Sequence, residues 1–407
     1  MRISGEYMPF PTRFMGSDDL PLLKLIFGIF NFVYFYKLLK KVGRLRLFVS
    51  ATRIQSRITG YICKMYIPVC IRNPFLGLFS YVYGVKIHEA VRDRFDQYTT
   101  FTDFFTRILK PGVRVISKEA DPTSICSPCD GRILTIGKVS SAYSTIDCVK
   151  GRSYRLDEFI MGYIGDPNED STKAENITQR KNNPRVQELI DSVTAKGNEL
   201  HYMVIYLSPG DYHRFHSPAI HRGHYRRHIA GYLQPVKPSY VATHRDVFKN
   251  NERVNIFGEW KENDFFFTSF VGALNVGSIL LDFDTDVETN MYMPADPYYT
   301  DKSYRKGQFS PLEPEKAGAS GSIDFAKGEM TGRFEMGSTI VLIYETKSDT
   351  TKTLVEEGDA VTLGQQMVLT EWDTELEFHA LFTKSIKSSL SILNIVFNIF
   401  QETALKK

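Results

Sequence analysis

From Ile125 onward, short apolar stretches alternate with turn signals along most of the chain. The clearest of them read GRILTIGKV, HYMVIYLSP, DFFFTSFVGALNVGSILLDF, STIVLIYE and AVTLGQQMVL. Short runs that are rich in β-branched and aromatic residues and bounded by turn residues are typical of β-strands. A chain of 407 residues with 43% hydrophobic content can also bury a large core. We therefore expect an α+β fold in which most of the core is β-sheet.

The N-terminal part has a different character, because it is basic and lacks carboxylates over a long stretch. Between Leu20 and His88 the sequence has no Asp or Glu but eleven Lys or Arg, although the net charge of the whole chain is only +3. These basic residues are interleaved with Phe, Tyr, Leu and Ile, a pattern that does not favour nucleic-acid binding. It is typical of helices at an anionic membrane, where cations meet lipid head groups and apolar side chains enter the acyl boundary.

Residues 20–39 come close to the roughly 20-residue length that spans a bilayer. Lys24 and Lys37 lie near the ends of this segment, from where their amines can reach the interface. A transmembrane anchor and an in-plane interfacial helix are both compatible with this sequence. We therefore divide the N-terminal part into a tail with a candidate membrane anchor, residues 1–47, and an amphipathic helical membrane-associated region, residues 48–118.

The stretch TTFTDFFTRILKPG predicts a helix inside that region. Thr100 stands three residues before Asp103, as in a capping box, and Pro111 with the glycine after it provides a stop. At helical spacing, one face would carry the apolar residues Phe101, Phe104, Phe105, Ile108 and Leu109.

Three short motifs combine residue types that carry chemistry. FEMGSTIVLIYE places Gly337 and Ser338 directly before an apolar run, SPCDGRI places Asp130 before a strand, and YLSPGDYHRFHSP places His213 and His216 three residues apart. Each motif on its own is also compatible with an ordinary turn. As a set, Ser338, His216 and Asp130 have the residue types of a nucleophile, its base and an orienting carboxylate.

The sequence does not favour a metal site. Cys126 and Cys129 form a single C-x-x-C without a second pair, which is a weak indication of zinc or redox chemistry. The H-x-x-H pair is followed by HRGHYRRH, whose arginines would oppose the binding of a divalent cation. We expect no metal.

The motifs SPCDGRI, YLSPGDYHRFHSP, NERVNIFGEW, VGALNVGSI and KGEMTGRFEMGSTIVLIYE occur in this order, and together they resemble the phosphatidylserine decarboxylases. The resemblance covers roughly Ile54 to Gln365. With YGVKIHEAV and FFTRILKPG included, the pattern is most similar to the mitochondrial branch of eukaryotes.

The resemblance implies a precursor that cuts itself between Gly337 and Ser338 and converts Ser338 into a covalent pyruvoyl cofactor. It implies that His216 is the base and Asp130 its orienter in self-cleavage, and that His213 serves decarboxylation by positioning substrate or donating a proton. Residues 119–337 would then be the large (β) chain part of the catalytic domain. Residues 338–407 would be the small (α) chain, with an extension from about residue 384 beyond the usual end of the family.

The partners implied are phosphatidylserine, an anionic membrane surface and the two chains held to each other after cleavage, with no nucleic acid. The implied location is the mitochondrial inner membrane with the catalytic domain in the intermembrane space, although the basic cluster after Leu39 favours the matrix side. Two other functions remain open from the residues: a Ser-His-Asp lipid hydrolase, and a non-catalytic membrane lipid-binding relative.

Overall fold

The computed structural model describes residues 45–139, 145–148, 152–162, 183–244, 246–261, 263–275, 278–291, 299–304, 321–347 and 350–370. The candidate anchor at residues 20–39 and the C-terminal extension from about residue 384 lie outside the described residues.

The helices of the described residues are α1 (Leu45–Lys64), α2 (Val69–Tyr83), α3 (Phe101–Phe105), α4 (Leu156–Met161), α5 (Pro184–Ala195), α6 (Pro238–Val241) and α7 (Val247–Asn250). Two 3₁₀ turns, Ile87–Glu89 and Phe95–Gln97, lie between α2 and α3. None of these helices is long and apolar enough to cross a membrane.

The strands are β1 (Ser124–Cys126), β2 (Gly131–Lys138), β3 (Thr145–Cys148), β4 (Arg152–Arg155), β5 (Asn198–Leu207), β6 (Arg214–His216), β7 (His221–Ile229), β8 (Arg253–Trp260), β9 (Asp264–Gly272), β10 (Ile279–Leu281), β11 (Tyr299–Ser303), β12 (Ile323–Phe325), β13 (Met330–Phe334), β14 (Ser338–Lys347), β15 (Lys352–Thr353), β16 (Ala360–Val361) and β17 (Gln366–Leu369). The predicted α+β fold with a mostly β core is therefore confirmed, and each apolar stretch that the sequence singled out contains a strand.

Strand β14 lies in the interior of a nine-stranded sheet with the order β11-β7-β8-β9-β14-β5-β2-β16, in which β12 also pairs with β7. It pairs antiparallel with β5 on one side and with β9 on the other. Successive side chains of a strand point to opposite faces. Accordingly, Val341 and Ile343 pack into one hydrophobic core, while Ile340 and Leu342 pack into a second core on the other face. Burial on both faces explains why the centre of STIVLIYE, Ile340 to Tyr344, is a continuous apolar run.

The predicted helix after Thr100 begins as expected but is shorter. The Thr100 hydroxyl accepts a hydrogen bond of 3.0 Å from the backbone N–H of Asp103. Helix α3 ends at Phe105, so the prediction that it continues to Pro111 is wrong. The reason is a competing backbone pairing, in which Leu109 forms a bridge with Ala90. As a result Ile108, which was expected on the apolar face, is 49% exposed.

Helices α1 to α3 form an N-terminal helical unit with its own aromatic core. That core, which we call the N-terminal aromatic cluster, consists of the buried residues Cys63, Leu76, Phe79, Val85, Tyr98, Phe101, Phe104 and Phe105. Ring pairs within it are mostly edge-to-face or tilted, for example Phe79 and Phe101 with centroids 5.0 Å apart. Such arrangements are favourable beyond the area that they bury.

Some basic residues of this unit contact protein, contrary to the expectation that they meet lipid head groups. Arg53 donates hydrogen bonds of 3.1 Å and 2.6 Å to the carbonyl of Gly231, and Arg57 donates one of 3.0 Å to the carbonyl of Asn290. Backbone carbonyls at such a contact need donors once water is excluded. These arginines therefore fasten α1 to the β domain.

Candidate active site

The peptide bond between Gly337 and Ser338 joins the three-residue link after β13 to the first residue of β14. Gly337 has φ +28°, in the left-handed region that a side chain disfavours. A β-carbon placed there would meet only ordinary van der Waals contact, with Ala273 at 3.9 Å. Glycine is therefore needed for its backbone conformation and not for space.

Ser338 is fully buried at the first position of β14, opposite Leu207 on β5 and Gly272 on β9. Its hydroxyl oxygen has no hydrogen-bond partner among the described residues. A buried polar group without a partner costs about 1–3 kcal/mol. Such a cost is typical of functional positions, where a reactive group is held ready.

His213 lies just before β6, and its imidazole is completely buried against the ring of Phe105, with centroids 4.0 Å apart. The Nδ1 atom is 3.0 Å from the carbonyl oxygen of Asp211. Because a carbonyl only accepts, Nδ1 carries the proton and Nε2 has a lone pair. The Nε2 atom has no partner among the described residues. Burial, together with the positive charge of Arg107, lowers the pKa of His213 to about 3, so the ring is a neutral base.

Arg107 is a residue of this site that the sequence reasoning missed. Its Nη2 atom donates to the carbonyl of Gly210 at 2.8 Å and to that of Asp211 at 3.1 Å. The carbonyl of Asp211 thus receives both the Arg107 guanidinium and the His213 imidazole, and this shared acceptor fixes the tautomer of His213. The motif FFTRILKPG contained this arginine, but only its apolar spacing was interpreted.

His216 ends β6 and has partners at both ring nitrogens. Nδ1 lies 2.8 Å from the carbonyl oxygen of Gly328, and Nε2 lies 3.2 Å from the hydroxyl of Tyr212. The carbonyl again requires the proton on Nδ1, so Nε2 accepts from Tyr212. Burial lowers the pKa of His216, and the negative charge of Asp130 offsets only part of that effect. His216 is therefore also a neutral base.

Asp130 is buried directly before β2, where Arg114 binds its carboxylate with two nitrogens, at 2.9 Å and 2.5 Å. The same carboxylate accepts a hydrogen bond of 2.8 Å from the backbone N–H of Leu363. The backbone of His216 lies close to this point, since its N–H donates at 2.8 Å to the carbonyl of Pro128.

The predicted residues do not form the hydrogen bonds of a triad: Ser338 begins β14, Asp130 precedes β2, and the two histidines lie at β6, which belongs to another sheet. Within the described residues, Asp130 bonds to Arg114 and Leu363, whereas Gly328 and Tyr212 bond to the ring of His216. His213 is tied to the strand that leads to Ser338, because its carbonyl accepts a hydrogen bond of 2.9 Å from Phe334. The roles of these residues stay predictions.

The other cysteine and histidine candidates lie in surroundings that indicate a structural role. Burial raises the pKa of the Cys126 thiol to about 11, so it is not a reactive thiolate. His228 lies 2.8 Å from the buried carboxylate of Glu252. No cluster of three or more potential metal ligands occurs in the part of the chain that the structure describes.

Comparisons with known proteins agree with this architecture. Residues 101–369 match the family model described as phosphatidylserine decarboxylase. The chain is 37% identical over 298 residues to the mitochondrial phosphatidylserine decarboxylase proenzyme of Rattus norvegicus, covering 73% of this chain and 68% of that protein. It is 32% identical to the mitochondrial proenzyme 1 of Arabidopsis thaliana, with 80% and 74% covered. For the mitochondrial proenzyme 1 of Saccharomyces cerevisiae the identity is 30%, with 77% and 71% covered.

Proposed function

Because this chain belongs to the phosphatidylserine decarboxylase family, we propose that it is a proenzyme that cuts itself between Gly337 and Ser338 and then converts phosphatidylserine to phosphatidylethanolamine and carbon dioxide. The observation that carries the proposal is the buried, unpartnered hydroxyl of Ser338 directly after a glycine with positive φ. This pairing of a buried hydroxyl with the carbonyl of a glycine lies inside the matched residues.

Self-cleavage requires the Ser338 hydroxyl oxygen to attack the carbonyl carbon of Gly337. The C–N bond then breaks, and the acyl group moves from nitrogen to oxygen as an ester. Removal of the α-proton of Ser338 expels the carboxylate of Gly337 and leaves dehydroalanine. Water converts this residue into a pyruvoyl group and ammonia. A serine hydroxyl is a weak nucleophile at neutral pH, so a base is needed.

The two histidines can divide the proton transfers. His216 is proposed as the base of self-cleavage, with the charge of Asp130 favouring its protonated form. The hydrogen bond from Tyr212 to His216 Nε2 would have to exchange for one from Ser338, since catalytic hydrogen bonds often form only in the reacting state. His213 keeps a free lone pair at Nε2 and is proposed to handle the proton of the decarboxylation step.

The site also fits the pyruvoyl group. When present at position 338, that group supplies an electrophilic carbonyl which accepts the electrons released as carbon dioxide leaves. Strand β14 would hold it at a fixed point between β5 and β9, and the buried surroundings of Ser338 would exclude water from it.

The position of β14 supports continued association of the two chains after cleavage. All ten residues from Ser338 to Lys347 pair with β5, and the first seven of them also pair with β9. Cleavage and the loss of the Ser338 nitrogen as ammonia change only the first position of this strand and leave the backbone pairing from Thr339 onward in place. The small chain would therefore remain inside the sheet formed by the large chain.

The outer surface of α1 supports membrane association. Ile54, Ile58, Tyr61 and Met65 recur at helical spacing and are each more than half exposed. Arg53 and Arg57 of the same helix bond to the β domain, so these four exposed side chains form an apolar stripe that suits the acyl boundary of a bilayer. Since relatives are named mitochondrial, we propose the mitochondrial inner membrane, with the catalytic domain in the intermembrane space.

The test uses full-length protein and its Ser338→Ala variant. Wild type should give two chains on a denaturing gel, one species on size exclusion, and carbon dioxide from phosphatidylserine vesicles. Ser338→Ala should stay uncut and inactive. A lipid hydrolase would instead remain one chain and label with a fluorophosphonate at Ser338, and a non-catalytic relative would bind vesicles without cleavage or carbon dioxide. Either result would overturn the proposal.

A further inference from the structure

Lys64, in the last turn of α1, forms an ion pair with Glu335, two residues before Gly337. The distance from Lys64 Nζ to Glu335 Oε2 is 2.7 Å. The lysine side chain is 56% exposed, whereas the glutamate side chain is only 7% exposed. Because Oε2 makes no well-directed hydrogen bond in the described residues, the contact is mainly a charge–charge interaction.

The short link between β13 and β14 is held from several directions. Phe334 donates a backbone hydrogen bond of 2.9 Å to His213, and the backbone N–H of Glu335 donates one of 3.0 Å to the carbonyl of Ser278. Met336 is partly buried against the N-terminal aromatic cluster. Ser338 is fixed by its pairing on both sides. The Glu335 side chain is thus the polar tether from this link to α1.

The ion pair between Lys64 and Glu335 can influence the position of the Gly337 carbonyl, which must react. Self-cleavage needs the carbonyl carbon of Gly337 near the Ser338 hydroxyl, and a small misplacement of reacting atoms slows a reaction strongly. Gly337 has a positive φ that glycine adopts freely, so its neighbours in the chain must hold the carbonyl in one orientation. A buried carboxylate that loses its cation is costly, so it takes up a proton or turns toward water, and either change alters the contacts that Glu335 makes. Movement of Glu335 would shift the peptide that carries the scissile carbonyl.

We propose that Lys64 and Glu335 are positioning residues for self-cleavage, so that the N-terminal helical unit is part of the processing machinery. This inference rests on the proposed function, since it concerns the same bond. It predicts that the charge pair affects the rate of processing more than the stability of the fold, because the lysine end of the pair is 56% exposed and water can partly replace its charge beside Glu335.

The experiment follows the appearance of the 338–407 fragment with time after translation of the full-length chain. Lys64→Met should process about tenfold more slowly, which corresponds to about 1.4 kcal/mol in the barrier. Lys64→Arg should process like wild type. Lys64→Glu and Glu335→Lys should each be slow, and the double variant with both exchanges should recover most of the rate because the pair is restored in reverse.

Lys138→Met is the matched control. Lys138 is 53% exposed and forms a 2.6 Å ion pair with Glu199. Glu199 lies near the start of β5, whereas Leu207, which pairs with Ser338, is the last residue of that strand. The Lys138→Met variant should process at the wild-type rate. Thermal unfolding is measured in the uncleavable Ser338→Ala background, where Lys64→Met should leave the midpoint nearly unchanged.

The outcomes separate this inference from the proposed function. If wild type does not cleave, the proposed function has failed. If wild type cleaves, and Lys64→Met and Lys64→Glu process at the wild-type rate, the positioning role is refuted. It is refuted as well if slow processing comes with a lowered unfolding midpoint and the reversed pair fails to recover, because the contact would then be merely structural.

Discussion

The backbone N–H of Phe334 donates a hydrogen bond of 2.9 Å to the carbonyl oxygen of His213. This bond ties the start of β6 to the end of β13, four residues before Ser338. His213 therefore has a fixed relation to the cleavage site through the main chain, and the Nε2 atom of its ring has no partner within the ranges that the structure describes. His216, three residues on, pairs with Met330 at the other end of β13.

The first prediction separates these histidines. His216→Ala should leave a full-length precursor, because the base proposed for Ser338 is gone. His213→Ala should still process, at least partly, but its turnover of phosphatidylserine should fall by about 10²–10⁴-fold, the usual loss for a general acid or base. Gel analysis of processing and carbon dioxide release per processed chain measure the two effects. His88→Ala, at an exposed position, is the control. Wild-type behaviour of both site variants would contradict the assigned roles.

The second prediction concerns the backbone of Gly337. Gly337→Ala should slow or abolish self-cleavage, because a β-carbon at φ +28° costs about 1–2 kcal/mol and shifts the scissile carbonyl. Gly197→Ala is the matched control, since Gly197 has φ +74° with open space around it and directly precedes β5, whose far end at Leu207 pairs with Ser338. Both variants should lose similar stability in a Ser338→Ala background. Equal processing by the two variants would show that the conformation of Gly337 is not used.

The third prediction is a loss of stability in acid. Burial lowers the pKa of His201 to about 4, that of His221 to about 4 and that of His213 to about 3. Unfolded histidines bind protons below about pH 6.5. Between about pH 6.5 and pH 4 the unfolded state therefore binds more protons, and the free energy of unfolding should fall by about 1.4 kcal/mol per pH unit for each such histidine.

Denaturant unfolding of the Ser338→Ala precursor at several pH values measures this slope. His201→Phe should reduce it by about one proton, because the ring of His201 stacks on Tyr344 away from the cleavage site and a phenyl ring keeps that stacking. A slope that His201→Phe leaves unchanged, or stability that rises toward pH 4, would contradict the neutral state of these rings.

The fourth prediction tests the exposed stripe of α1. The double variant Ile54→Glu with Ile58→Glu should weaken binding to anionic vesicles at least tenfold, because each side chain loses about 1.5–3 kcal/mol of apolar burial. Val115→Glu is the control, since Val115 is 75% exposed but lies outside the helix. Vesicle sedimentation at low and high salt separates the apolar contribution from the charge contribution. Unchanged affinity of the double variant would refute the assigned surface.

The strands of this fold could be predicted from sequence because their local signals agree with the tertiary structure. The centre of STIVLIYE, Ile340 to Tyr344, is a run of apolar and aromatic residues in a buried interior strand, and turn residues bound the segment on the N-terminal side. The helix after Thr100 shows the opposite case. Its cap was predicted correctly, but the bridge between Ala90 and Leu109 ended the helix early, and no local pattern reveals a pairing across nineteen positions.

The sequence motifs single out the residues of the candidate site but not their hydrogen-bond partners. Asp130 was expected to orient His216, yet its carboxylate binds Arg114, and the Gly328 carbonyl orients the imidazole. Hydrogen-bond partners of this kind come from distant segments, so spacing along the chain carries no information about them. Arg107 was missed for the same reason, since its role arises from carbonyls about a hundred residues away.

The most direct test of the account is the intact mass of the mature protein. It should contain two chains that separate on denaturation, and the smaller should consist of residues 338–407. That chain should be lighter, by the mass of one ammonia, than the same peptide with a free N-terminal serine, and Edman sequencing should be blocked because no α-amine remains. Active protein that runs as a single intact chain, with an ordinary serine at position 338, would contradict the central claim.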